Sequence, residues 1–321
     1  MYRRYLIAMF LVIFLIGCTA PTPEETAPDP NVTPEGIRIT PDVVYGHKFG
    51  MALTLDMYQP KNKNGAGVLY IDSGGWESPY ANFYVQTAEG IHLLNDNELE
   101  RENPIMRSMS INPLLAKGFT VFTVRHGSRP KFELYEIVND IRVATRFICH
   151  HSKDFGIDSE RLGIWGGSSG GHLSLLIATT AEIVNAEADK PIGKISSHLA
   201  AAVAYAPPTD LKVLSVSDYL KKDNPNLLKQ TGLDIADDKL KELSPITYVS
   251  SDDPPTLIIH GAKDPIVPIN HGKSMYSALK AAGVESKFIT VPDAEHGFFN
   301  KDADLAVSEM IGWFEKYLLK K

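Results

Sequence analysis

The stretch Gly163-Ile164-Trp165-Gly166-Gly167-Ser168-Ser169-Gly170-Gly171-His172-Leu173 decides how this chain is read. Ile164 and Trp165 close an apolar run, the glycines impose a sharp turn, and Leu173 to Ala178 continues as a buried helix. Strand, glycine-bracketed serine and helix together make a nucleophile elbow, Gly-x-Ser-x-Gly running from Gly166 to Gly170. A serine on so tight a turn sits in strained backbone, and a Cβ two residues to either side would crowd the strand or the helix. The turn exposes Ser168 Oγ and aims the N–H of Ser169, at the helix start, toward any oxyanion forming nearby. Taken alone, five residues of this kind could equally be a glycine-rich turn that binds phosphate or nothing.

A serine nucleophile needs a base within hydrogen-bond reach and an acid that orients the base. Both follow in the order Ser, Asp, His, each on a loop after a strand. After the Leu257-Ile258-Ile259 run comes His260-Gly261-Ala262-Lys263-Asp264. After Lys287 to Val291 comes Pro292-Asp293-Ala294-Glu295-His296. Asp264 and His296 are therefore the expected acid and base, on the same sheet edge as the elbow. His260 reads as a structural hydrogen-bonder, and His172, on the elbow helix, as a residue pointing away from Ser168 Oγ. Asp293 stands too close to His296 to orient it. The remaining histidines, His150 and His151 included, show no metal-ligand spacing, so neither metal nor cofactor is expected.

Around these loops, strands alternate with helical patterns. Val43 to Gly46 and Leu53 to Tyr58 read as a hairpin. Val68 to Ile71, Thr120 to Val124, the elbow strand, Leu199 to Ala206, Pro254 to His260 and Ser286 to Val291 are apolar runs suited to a parallel sheet. Leu134 to His151, Ile269 to Ala282 and Asp302 to Leu319 carry a helical period. The pattern predicts a mostly parallel sheet covered by helices on both faces. Two stretches break it, 77–112 and 209–248. Both are expected as loop or cap insertions over the site, with Asn95-Asp96-Asn97-Glu98 as loop.

The chain has 321 residues, 44% of them hydrophobic, and a formal charge of −7, which speaks against a nucleic-acid partner. Arg3 and Arg4 precede an apolar core from Leu6 to Ile16 that is too short to span a bilayer as a mature helix. It ends in Leu15-Ile16-Gly17-Cys18, which resembles a bacterial lipobox. That resemblance implies a signal peptide over 1–17, lipid on Cys18, and an exported protein tethered at the outer membrane. Residues 18–36 are proline-rich and acidic, and read as a spacer ahead of a catalytic domain over 37–321. Cys149 falls in a helical stretch and reads as a buried apolar thiol, not a partner for Cys18.

Asp154 to Leu173, His-Gly-x-x-Asp-x-x-Val-Pro at 260–268 and Glu-His-Gly-Phe at 295–298 together resemble the α/β-hydrolase superfamily. Within it the likeness is to the carboxylesterase and prolyl-oligopeptidase-like group that includes bacterial feruloyl and acetyl-xylan esterases. It covers residues 40 to 320 and implies a three-layer α/β fold. It also implies a cofactor-free serine hydrolase of short acyl or aryl esters, some of them polysaccharide-linked. Such esterases carry His-Gly-Gly-Gly-Trp after the third strand, and here the matching residues are Asp72-Ser73-Gly74-Gly75-Trp76. The resemblance makes the N–H groups of Gly74 and Gly75 partners of Ser169 in the oxyanion hole. An ionised Asp72 aimed at the site would oppose the developing charge, so it is expected to turn away and brace the loop. Prolyl-oligopeptidase relatives restrict access with a propeller or a large cap, and no propeller-length segment precedes this domain, so an esterase is expected over a peptidase. A non-catalytic binding lipoprotein is the third reading, and its only support is the altered Asp72-Ser73 pair. Oligomeric state is open.

Overall fold

The computed structural model describes residues 29–78, 83–87, 90–180, 196–215 and 231–319. The signal segment and Cys18 lie outside them.

The strands are β1 (Arg38–Lys48), β2 (Met51–Gln59), β3 (Gly67–Ile71), β4 (Tyr84–Thr87), β5 (Gly90–Leu93), β6 (Thr120–Val124), β7 (Leu162–Gly167), β8 (Ala201–Tyr205), β9 (Thr256–Gly261) and β10 (Ser286–Val291). Eight of them form one sheet in the order β1-β2-β6-β3-β7-β8-β9-β10. β1 pairs antiparallel with β2, and β2 antiparallel with β6; every later neighbour is parallel. This is the expected α/β-hydrolase sheet.

β3, β6, β7, β8 and β9 are buried at every position, because helices cover both faces of a parallel sheet. The pleat sends alternate residues to opposite cores. Leu69, Ile71, Phe122 and Ile164 pack with the helix Leu134–His150. Val68, Tyr70, Val121 and Trp165 pack with the helix Lys301–Leu318. The elbow helix Ser169–Ala178 is buried along its whole length, which explains why its sequence is apolar all round instead of amphipathic.

β1 begins earlier than its apolar residues suggest. Its register shifts between Thr40 and Val43, where Asp42 has φ 52° and its N–H donates to Asp56 Oδ1 at 2.8 Å. Asp56 is fully buried and is held by a two-pronged contact from Arg125, at 2.7 and 2.8 Å. Residues 29–36, read as the end of the spacer, fold back on β1. Ile39 N donates to Asn31 O at 2.9 Å, Val32 bridges Arg38, and Thr33 is buried.

The first insertion holds the β4–β5 hairpin and a helix, Asp96–Glu102. Asn95 to Glu98 is therefore not loop but a helix start. Asn95 caps the N–H groups of Asn97 and Glu98, and the Glu98 carboxylate accepts the Asn95 N–H. The described parts of the second insertion carry short helices at Leu211–Ser215 and Asp237–Glu242 and a 3-10 turn at Pro245–Tyr248.

Candidate active site

The loops after β3, β7, β9 and β10 all leave the carboxyl edge of the parallel sheet, so the chemistry-bearing side chains collect there. Ser168 has φ 53° and ψ −122°, a strained conformation for a residue with a side chain. Its brackets must be glycine. A Cβ on Gly166 would sit 2.6 Å from the carbonyl carbon of Gly170, and one on Gly170 would sit 2.5 Å from the Ile71 oxygen.

Ser168 Oγ lies 2.8 Å from His296 Nε2, and His296 Nδ1 lies 2.8 Å from Asp264 Oδ2. Because a carboxylate only accepts, Nδ1 carries the proton and Nε2 is left to take one from the serine. Asp264 Oδ1 accepts N–H groups from Ile266 and Val267, both at 2.9 Å. Burial pushes this carboxyl up. The hydrogen bonds from His260 and His296, the positive charge His296 would carry and the Val267 N–H outweigh it, so the group stays well below the usual carboxylate range. His260 is buried and its Nε2–H faces both Val267 O, at 2.8 Å, and Asp264 Oδ2, at 3.3 Å. It thus braces the acid, a role the sequence showed only as a hydrogen-bonding histidine at a strand end. Asp293 is exposed and pairs with Lys263 at 2.8 Å.

His172 points away from Ser168 Oγ and does other work. Its Nδ1 accepts from Trp76 Nε1 at 3.1 Å and its Nε2–H donates to Leu243 O at 2.7 Å. Burial lowers its pKa to about 4, so it is neutral, as that bonding requires. Nothing in the sequence paired Trp76 with His172. Their separation in the chain hides it.

The loop after β3 closes in a tight turn in which Gly75 and Trp76 have φ 59° and 62°. This turn changes the expectation for Gly74. Its N–H donates to Glu77 O at 2.9 Å, and Glu77 N returns a bond to Gly74 O at 3.0 Å. Gly74 therefore has no donor to offer an oxyanion in this conformation. The N–H groups of Gly75 and Ser169 have no partner among the described residues. Asp72 is buried and lines the cavity with Ser168, and burial, with the Asp72 charge as a second cause, raises the Tyr70 hydroxyl well above its ordinary pKa. Ser73 Oγ stands 3.0 Å from Ser169 Oγ.

These groups line a cavity of about 410 Å³. Its apolar lining includes Tyr70, Met106, Met109, Leu233, Ile266 and Phe298. Among the described residues no cluster of side chains is arranged to hold a metal ion. Cys149 is half-buried and free, and burial raises its thiol to about 11.

The mostly parallel eight-stranded sheet, with Ser168, Asp264 and His296 just past the ends of β7, β9 and β10, is that of an α/β-hydrolase. The chain belongs to the BD-FAE family, which matches residues 55–279. Residues 239–320 also match the family described as TAP-like protein. The chain is similar to Esterase LipC of Mycobacterium tuberculosis, at 25% identity over 59% of this chain and 47% of LipC. It is also similar to Acylamino-acid-releasing enzyme 1 of Oryza sativa subsp. japonica, at 30% identity over 57% of this chain and 23% of that protein. It thus spans about half, or less, of the length of these relatives. Among solved structures it resembles a truncated carbohydrate esterase from gut microbiota, with TM-score 0.66 and 24% identity over 88% of this chain and 96% of the other. That last likeness is one of fold.

Proposed function

We propose that the protein is a serine hydrolase of carboxylic esters, acting through Ser168, His296 and Asp264 and an acyl-enzyme. The unbroken chain of 2.8 Å contacts from Ser168 through His296 to Asp264 carries this reading. His296 Nε2 takes the Ser168 proton as Oγ attacks the ester carbonyl carbon. The carbonyl oxygen becomes an oxyanion facing the N–H groups of Ser169 and Gly75. Asp264, kept ionised, holds His296 and stabilises its positive charge. His296 then gives the proton to the departing alcohol oxygen. Water repeats the sequence on the acyl-enzyme and frees the acid.

The cavity lining is largely apolar, and the volume sits at the small end for ligand pockets, which favours short acyl or aryl esters. Such esters on polysaccharide fit the same cavity if the sugar chain stays outside it. The test is hydrolysis of p-nitrophenyl acetate, butyrate and octanoate by the full chain and by Ser168→Ala. Turnover of the shorter esters that disappears in the variant is expected. A second reading, peptidase or amidase, draws on the likeness to the acylamino-acid-releasing enzyme. Cleavage of an acylated amino-acid p-nitroanilide with no ester turnover would favour it.

We also propose that lipid on Cys18 tethers the exported protein to a membrane, the outer one because Thr19 after the cysteine is unlike the usual inner-membrane retention signal. The lipobox-like Leu15 to Cys18 supports this. Radiolabelled fatty acid should enter the wild-type chain in bacterial cells and not Cys18→Ala.

A further inference from the structure

The loop after β3 carries Ser73 between Asp72 and Gly74, and the geometry gives that serine a role. We propose that the Ser73 hydroxyl is a donor of the oxyanion hole, taking the place of the Gly74 N–H. This rests on the ester-hydrolase reading above.

Two observations carry it. First, the Gly74 N–H is committed to Glu77 O at 2.9 Å, in a two-way bridge that fixes the turn. The hole is one backbone donor short of what the family resemblance implied. Second, Ser73 Oγ stands 3.0 Å from Ser169 Oγ, and both residues line the cavity beside Ser168. Two hydroxyls share that single bond, and each owns one proton. Ser169 is 1% exposed, and its hydroxyl has no other partner among the described residues. A buried hydroxyl proton without an acceptor is costly, so Ser169 donates and Ser73 accepts. The Ser73 proton is then free to turn into the cavity, where it faces the oxygen of a carbonyl held by Ser168. Its donor strength is raised by the bond it accepts, as in any chain of hydroxyls. No proton is transferred. Ser73 donates more strongly as the oxygen gains charge, which lowers the barrier more than it tightens ground-state binding.

The experiment compares Ser73→Ala, Ser73→Gly, Ser73→Thr and Ser169→Ala in the full chain, with p-nitrophenyl acetate as substrate. Loss of one oxyanion donor lowers kcat by roughly 100-fold with little change in KM, and this is expected for Ser73→Ala and Ser73→Gly. Ser73→Thr keeps a hydroxyl and should recover most of the rate. Ser169→Ala breaks the bond between hydroxyls yet leaves the Ser73 donor, so its loss should be several-fold at most. If the pair were only a brace between loop and helix, Ser169→Ala and Ser73→Ala would lose activity equally, and that result overturns the proposal. So does a kcat within three-fold of wild type in Ser73→Ala and Ser73→Gly. A wild-type chain inert toward every ester would instead defeat the ester-hydrolase reading itself.

Discussion

Trp76 Nε1 donates to His172 Nδ1 at 3.1 Å, and this bond fastens the loop after β3 to the helix that follows Ser168. The same imidazole donates to Leu243 O, so loop, elbow helix and second insertion meet on one buried ring. Trp76 holds φ 62°, a conformation that costs a non-glycine residue and persists because the indole is pinned. His172→Ala would leave the indole N–H and the Leu243 carbonyl buried without partners and open a cavity. It should cost about 2–4 kcal/mol in urea denaturation and lower kcat by loosening Gly75. A variant as stable and active as wild type would show that the ring fastens nothing.

Three buried histidines make the fold acid-sensitive. Burial lowers His126, His172 and His271 to about 4 from 6.5. The unfolded chain therefore binds protons first as pH falls below 6.5, and stability is lost between pH 6.5 and about 4. Each site contributes about 3 kcal/mol across that window. Asp264 is not the cause, since a depressed carboxyl keeps its contribution until the pH falls below its unfolded-state pKa. Urea midpoints measured at intervals over this range should fall steadily toward acid. A flat profile would contradict the burial of these rings.

Asp264→Asn keeps the shape of the acid but replaces an acceptor that fixes the His296 tautomer. Turnover should fall by roughly 10⁴-fold while the fold is retained. A loss below ten-fold would mean that another group orients His296.

Gly170→Ala places a Cβ 2.5 Å from the Ile71 oxygen, backbone against side chain, with nowhere for either to move. It should destabilise the chain by about 4 kcal/mol or more, or prevent folding. Near-normal stability in thermal unfolding would contradict the close approach of elbow helix and β3.

What could be read from the sequence was whatever follows a local rule. Buried parallel strands are short apolar runs, the elbow glycines announce a turn, and Asp264 and His296 each stand just past such a run. The helix at Asp96–Glu102 was also legible, since Asn95 and Glu98 form a capping box, yet its polar surface read as loop. The remaining features depend on tertiary placement. That Gly74 gives its N–H to Glu77 depends on a turn with positive φ at Trp76, a residue that does not favour one. Trp76 tolerates it through a histidine distant in the chain. His260 and Asp264 are close in sequence, but their contact depends on where Val267 returns.

The most direct measurement is covalent labelling of the full chain with a fluorophosphonate, followed by intact mass, peptide mapping and residual ester turnover on one sample. One adduct per chain, on Ser168, with turnover falling in proportion to labelling, is the predicted result. Turnover that persists when Ser168 is fully modified would contradict a mechanism built on Ser168, His296 and Asp264.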